Sequence, residues 1–304
     1  RRSGLLPDLQ SVVEVEGMDW CWLVLFVTLP LAYNPVSRYQ WEPDKMALAL
    51  ALTGVLLGRA LGREGAVRFP RCVQRWRDPA LWIGLFLLLR LFSAMTSVAP
   101  HWSLWGDPAW RNGAWSAVMG GLLFVLARRW LTSLQARRRS IDAILVVSAV
   151  VASYGVLQHV SFNYLNEGEL VRVSSTLAHP NLLAAYLAMT MPLAVMRLTT
   201  GRVWAAGVLA LQALCVVWTY SRTGWLAGMT GLVVMALAYL WAVGRRRIAG
   251  LLAGRAMIVL AGLLVLSARP PLPGSAPPLL QNLTNMFRWR GATAQIRLLG
   301  WRAA

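Results

Sequence analysis

The sequence predicts an all-α fold, a polytopic bundle of about nine transmembrane helices followed by the start of an extracytoplasmic loop. Three observations predict it. Hydrophobic residues make up 57% of the chain and charged residues 14%, with a mean hydropathy of +0.52; soluble domains carry about 25% charged residues. Apolar runs of helix length recur along the chain, separated by short segments rich in Arg, Pro and Gly. The basic residues also alternate: loops after even-numbered runs hold seventeen Arg and Lys, the loops between them five, the tail excluded. Short cytoplasmic loops are enriched in basic residues, so the amino terminus and the basic loops are assigned to the cytoplasm.

Taken in order, the spans are 18–33, broken by Pro30, then 46–61, 81–98, 114–127, 141–160, 181–196, 203–219, 225–243 and 251–267. Dense basic blocks at 59–77, 128–139 and 245–247 separate them. The third span carries Arg90, and an arginine at mid-membrane costs roughly 2.5–3.5 kcal/mol, so Arg90 is expected to face the bundle interior. Residues 100–113 read as a polar outer loop containing His101, Trp102, Trp105 and Asp107. Most of the sixteen tryptophans fall near span ends and are read as interfacial anchors; Trp102 and Trp105 lie instead in the outer loop with Asp107.

Residues 1–267 thus form the helical bundle, and 268–304 a separate segment. It opens with the run RPPLPGSAPPLL, which proline makes stiff and extended. Leu279, Leu283, Met286 and Phe287 then recur at helical spacing, as in a helix lying on the membrane surface. With no initiator methionine and no signal-peptide pattern, the chain is expected to be the amino-terminal part of a longer protein, lacking its true start and cut inside an outer loop.

The formal net charge of +18 does not imply nucleic acid, because the arginines punctuate apolar runs and do not gather with aromatics on one soluble face. Cys21, Cys72 and Cys215 are too scattered for a disulfide framework, and no cluster has metal-ligand spacing. Neither metal nor cofactor is expected.

With this orientation the fourth, sixth and eighth spans run inward, so their unpaired amino-terminal amides open toward the outer face. Each has an arginine near that end: Arg111, Arg172 and Arg222. Pro180 suits the first position of the sixth span, since the amide it lacks would be unpaired there. Ser174, Ser175 and Thr176 ahead of it are expected to supply capping groups, and His179 is read as a cap in preference to a general base. Ser221 is expected to cap the eighth span. Helix amino termini and guanidinium forks are both ligands for phosphate oxygens, so together they would cradle a pyrophosphate at the outer boundary. The competing reading is that each arginine snorkels separately to lipid headgroups. His159 is expected to hydrogen-bond Gln158 or a neighbouring helix. Glu167 and Glu169 either position an acceptor or pair with Arg172.

The run RVSSTLAHPNLLAAYLAMTMP at 172–192 resembles the Arg, small residue, Thr, Pro-Asn and apolar helix pattern of the O-antigen ligase family of bacterial membrane glycosyltransferases. YSRTGWLAG, SLWGDPAWRNG and IRLLGW are similar to other short motifs of that family, in the family's order. The resemblance implies transfer of a glycan from an undecaprenyl-pyrophosphate carrier to an acceptor glycan or lipid. The reaction would occur at the outer face of the bacterial cytoplasmic membrane, without metal and with inversion at the anomeric centre. It implies Arg172 and Arg222 as catalytic residues that stabilise the leaving pyrophosphate. Arg111, His179, Asn181, Ser221 and Arg297 would bind substrate. It also places the acceptor-activating histidine beyond Ala304, so the expectation is a chain that binds donor without turning it over. Partners are then the lipid-linked donor, the acceptor and membrane lipids, with the oligomeric state open. Two alternatives share the topology. A polymerase of the same superfamily would differ in its acceptor, and a transporter or flippase would show broken helices or ionisable residues at mid-membrane in both halves.

Overall fold

In the computed structural model, the described residues are 9–32, 42–64, 78–106, 113–131, 133–160 and 172–245, with 247–248, 250–252 and 254–255. All the regular structure among them is helical: α1 (Leu9–Leu31), α2 (Glu42–Glu64), α3 (Pro79–Met95), α4 (Pro100–Trp105), α5 (Ala114–Trp130), α6 (Leu134–His159), α7 (Pro180–Thr199), α8 (Trp204–Trp218) and α9 (Arg222–Ala242). Each of the first eight predicted spans falls on a helix. The ninth, and the segment 268–304, lie wholly or largely outside the described residues.

Among the described residues three helices, α6, α7 and α9, are long and apolar enough to cross a bilayer. Shorter apolar helices lie at Trp20–Leu31, Pro79–Met95, Ala114–Arg128 and Trp204–Trp218. A helix the length of α8, at 1.5 Å per residue, falls short of the roughly 30 Å hydrocarbon core. The distribution of polarity is that of a membrane protein. Leu88 and Phe92 are 67% exposed and Met189 69%, whereas the amide of Gln212 is fully buried.

Three expectations need correction. Residues 134–140 are not a loop ahead of the fifth span but the first turns of α6, because arginine is a good helix former and Ser133 Oγ accepts from Ala136 N at 3.0 Å. Within the expected loop at 100–113, Pro100 starts the short helix α4, which Ser103 ties back to Ser97 at 2.7 Å. Arg90, expected to face the bundle interior, is exposed on α3.

The chain divides within α6 into two compact units, 1–147 and 148–304. The first is packed around Trp22, Leu25, Leu56 and Leu126, from α1, α2 and α5, with Trp22 stacked on Phe26 at 5.7 Å. Its helices α3 and α5 lie side by side, Gly121 receiving Leu87 and Ile83. At one end of this pair Asp78 caps α3 through Ala80 N, at 3.0 Å, and forms a two-pronged ion pair with Arg128. The hydrogen bond from Arg128, and then that from Ala80, hold the Asp78 carboxyl below the usual carboxylate range.

In the second unit α7 is the central element and packs on both α8 and α9. Gly224 and Gly228 of α9, four residues apart, meet Ala184 and Ala188 of α7 at the same spacing, and Gly231 meets Pro192. Small residues let two membrane helices approach closely enough for dispersion to hold them together without a hydrophobic driving force. A polar clasp adds to this: Gln212 Nε2 of α8 donates to Ser148 Oγ of α6 at 2.7 Å and to Thr190 Oγ1 of α7 at 3.0 Å. Close packing of α7 with α9 brings the amino termini of both helices to the same end of the unit.

Candidate anion-binding site

At that end the α8–α9 connection is only Thr219, Tyr220 and Ser221, so α8 stops where α9 starts. Ser221 caps α9 as expected, its Oγ accepting from Gly224 N at 3.2 Å. Its own amide donates to Thr219 Oγ1 at 3.2 Å, which fixes the cap to the last turn of α8. Trp225, one turn into α9, donates its indole N–H to Val216 O at 2.9 Å and closes the corner from below. Arg222 is therefore held at the first position of a helix whose entry is bonded on both sides.

The sixth predicted span begins at Pro180, as its sequence required. The cap, however, is His179 and not the serines. His179 Nδ1 accepts from Asn181 N at 3.2 Å, so this ring nitrogen is engaged in the cap of α7. Ser174, Ser175 and Thr176 are instead buried in a 3₁₀ turn, 175–177, that packs on α6. His159 makes a different contact from the one expected: its ring stacks on Trp218, centroids 4.1 Å apart and planes 13° from parallel. Gln158 bonds the 3₁₀ turn instead.

Arg172 ties these helix ends together. Its Nε donates to Thr219 O at 3.1 Å, one of the terminal carbonyls of α8, and its Nη2 to Asn181 Oδ1 at 3.3 Å in the first turn of α7. Val173 N adds a bond to Trp218 O at 3.3 Å. These bonds join Arg172, His179 and Asn181 to the end of α8, and Ser221 and Arg222 follow directly as the cap and first residue of α9. Arg172 and Arg222 are half-buried and Asn181 is exposed, so the group is reachable from outside. Two guanidinium groups and two helix amino termini make this a positive, donor-rich surface.

Arg111, Arg297, Glu167 and Glu169 lie outside the described residues. Two residues of this corner were missed in the sequence. Thr219 supplies both the carbonyl for Arg172 and the hydroxyl for Ser221; its position directly before the YSRTG turn was the available signal. Gln158 was named only as a possible partner of His159; its amide position in an apolar span was the available signal.

The corner is also where the backbone is least comfortable. Among the described residues the non-glycine residues with positive φ are Ser175 (52°), Ala178 (60°) and Tyr220 (49°), and all three flank the site. Left-handed backbone costs an L-residue roughly 1–2 kcal/mol, so it persists only where surrounding bonds enforce it.

Comparison of the chain with family models, curated proteins and solved structures gave no match.

Proposed function

We propose that the protein is a membrane glycosyltransferase of the O-antigen ligase type, whose second unit holds the pyrophosphate of a lipid-linked glycan donor. The observation that carries this reading is the convergence of Arg172 and Arg222 on two helix amino termini at one end of the bundle. In this reading the chain spans a bacterial cytoplasmic membrane about nine times, with the amino terminus inside and the corner at the outer boundary. The lipid pyrophosphate sits against the guanidinium forks, and its glycan extends outward toward the acceptor.

Transfer then proceeds by attack of an acceptor hydroxyl on the anomeric carbon. The bond from that carbon to the pyrophosphate oxygen breaks, and the electron pair stays on the pyrophosphate. Charge growing on that oxygen is what Arg172 and Arg222 stabilise, because their donors are already oriented before the reaction. The hydroxyl proton passes to a base, which the family resemblance assigns to a histidine of the large outer loop. His179 holds α7 in place and Asn181 orients Arg172.

A series of lipids tests this directly. Undecaprenyl pyrophosphate, undecaprenyl monophosphate and undecaprenol are added to the purified protein in detergent, and thermal unfolding is followed. The expected order of stabilisation is pyrophosphate above monophosphate above alcohol, since each phosphate adds oxygens for the same forks. Equal shifts from all three would mean that the protein holds only the tail.

A further inference from the structure

We propose that Gln158 is a positioning residue for Arg172, acting through the backbone amides of Ser174 and Ser175. The inference rests on the pyrophosphate reading of the corner and adds to it the group that holds the principal arginine in place.

One face of α6 carries Val151, Gly155 and Gln158, four and three residues apart, and the segment 173–175 lies along it. Ser175 Oγ donates to Val151 O at 2.6 Å. Gly155 makes room in the middle: a Cβ there would stand 2.6 Å from Cys215 Sγ and 3.0 Å from Val173 Cγ1. Gln158 Oε1 then accepts from Ser174 N at 3.0 Å and from Ser175 N at 2.8 Å. Two consecutive amides can point at one oxygen because Ser174 is right-handed, φ −119° and ψ −20°, and Ser175 left-handed. This alternation makes a concave nest of N–H groups that favours a single electron-rich atom.

Both serines are buried, so loss of that oxygen leaves two buried donors unsatisfied. The enforced left-handed turn at Ser175 then has less to hold it. Val173 and Arg172, the next residues back, make the bonds to Trp218 O and Thr219 O that set the guanidinium at the corner. His159, adjacent to Gln158, stacks on Trp218 itself, so the end of α6 grips both partners of that contact.

Two measurements on the whole chain in detergent test the assignment. The first is hydrogen exchange without ligand. Gln158→Met keeps the length of the side chain but has no acceptor, and is expected to lose amide protection at 173–175. Gln158→Glu, whose carboxylate still accepts from both amides, is expected to keep it. Normal protection in Gln158→Met overturns the inference, whichever lipids bind.

The second measurement is affinity for undecaprenyl pyrophosphate in a double-mutant cycle. Gln158→Met and Arg172→Ala are each expected to weaken binding by about tenfold or more, and the double variant by no more than Arg172→Ala alone. Effects that multiply would show that Gln158 does not act through Arg172. Gln212→Leu is the control for general loosening: it is expected to lower the unfolding temperature and to leave affinity within roughly twofold. An equal loss of affinity in that variant would reduce Gln158 to one polar contact among several. If the wild type itself shows no response to the lipid, the pyrophosphate reading falls, while the exchange result still decides whether Gln158 holds the turn.

Discussion

The two units of the chain are built from similar apolar helices and differ in what they bury. The first packs Trp22, Leu25, Leu56 and Leu126 against one another and leaves its ion pair, Asp78 with Arg128, at an exposed end. Among the described residues Thr53 and Ser140 are its buried polar side chains. The second buries Ser148, Gln158, Ser174, Ser175, Thr176, Thr190, Gln212, Thr219 and Ser221, and contains all three strained non-glycine residues. Among the described residues the positive-φ position of the first unit is a glycine, Gly106; the second has Gly201 and Gly244 and, in addition, Ser175, Ala178 and Tyr220. Buried polar groups and enforced backbone are costly for stability and fix geometry, so their concentration in one unit marks where geometry matters.

The largest effect should come from removing the close approach that brings α7 and α9 together. A Cβ at Gly224 would overlap that of Ala184, and Gly224→Ala is expected to destabilise the second unit by about 3 kcal/mol, the upper end of overpacking costs. Gly120 in the first unit meets nothing within 4 Å, and Gly120→Ala should be neutral or stabilise by up to about 1 kcal/mol through helix propensity. Thermal unfolding of both variants gives the comparison; a tolerant Gly224→Ala would mean that the helices are not in close contact.

A smaller pair of opposite signs tests the strain. Ala178→Gly should raise stability by about 1 kcal/mol, because glycine adopts that φ without steric cost, while Gly106→Ala should lower it by roughly 1–3 kcal/mol, since φ 80° with ψ 176° is a conformation essentially restricted to glycine. If Ala178→Gly gives no gain, the turn is not strained and the contrast between the units weakens.

The smallest effect concerns the exposed ion pair. The Asp78 carboxyl is held below its ordinary value, so its contribution to stability is present above the unfolded carboxylate range and lost as the pH falls through its folded pKa. Asp78→Asn keeps a cap for α3 but loses the pair with Arg128. The variant should therefore melt slightly below the wild type at neutral pH, and the gap should close in acid. A gap that is the same at both pH values would mean that it does not arise from ionisation of Asp78.

The helices were legible because apolar runs of this length have few other solutions. So were the start of α7 at Pro180 and the cap at Ser221, since both follow from local backbone chemistry. What could not be read were the partners of side chains whose choice depends on tertiary packing. Gln158 and His159 are neighbours in sequence yet face different elements, one the 3₁₀ turn and the other Trp218. Arg172 was read as a ligand for an external anion, and nothing local indicated that it also ties the end of α8 to the start of α7. Gly224 and Gly228 stood inside a recognised motif, but their role depends on Ala184 and Ala188 some forty residues earlier.

The central claim is that arginine geometry, not positive charge alone, grips a pyrophosphate at the corner of the second unit. Its most direct test is the affinity for undecaprenyl pyrophosphate of Arg222→Lys and Arg172→Lys, with Arg128→Lys in the first unit as the charge-matched control. Lysine keeps the charge and loses the bidentate fork. The account predicts at least about tenfold weaker binding in the first two variants and wild-type affinity in the third, with Arg222→Lys unfolding at the wild-type temperature. Wild-type affinity in both Arg222→Lys and Arg172→Lys would contradict it.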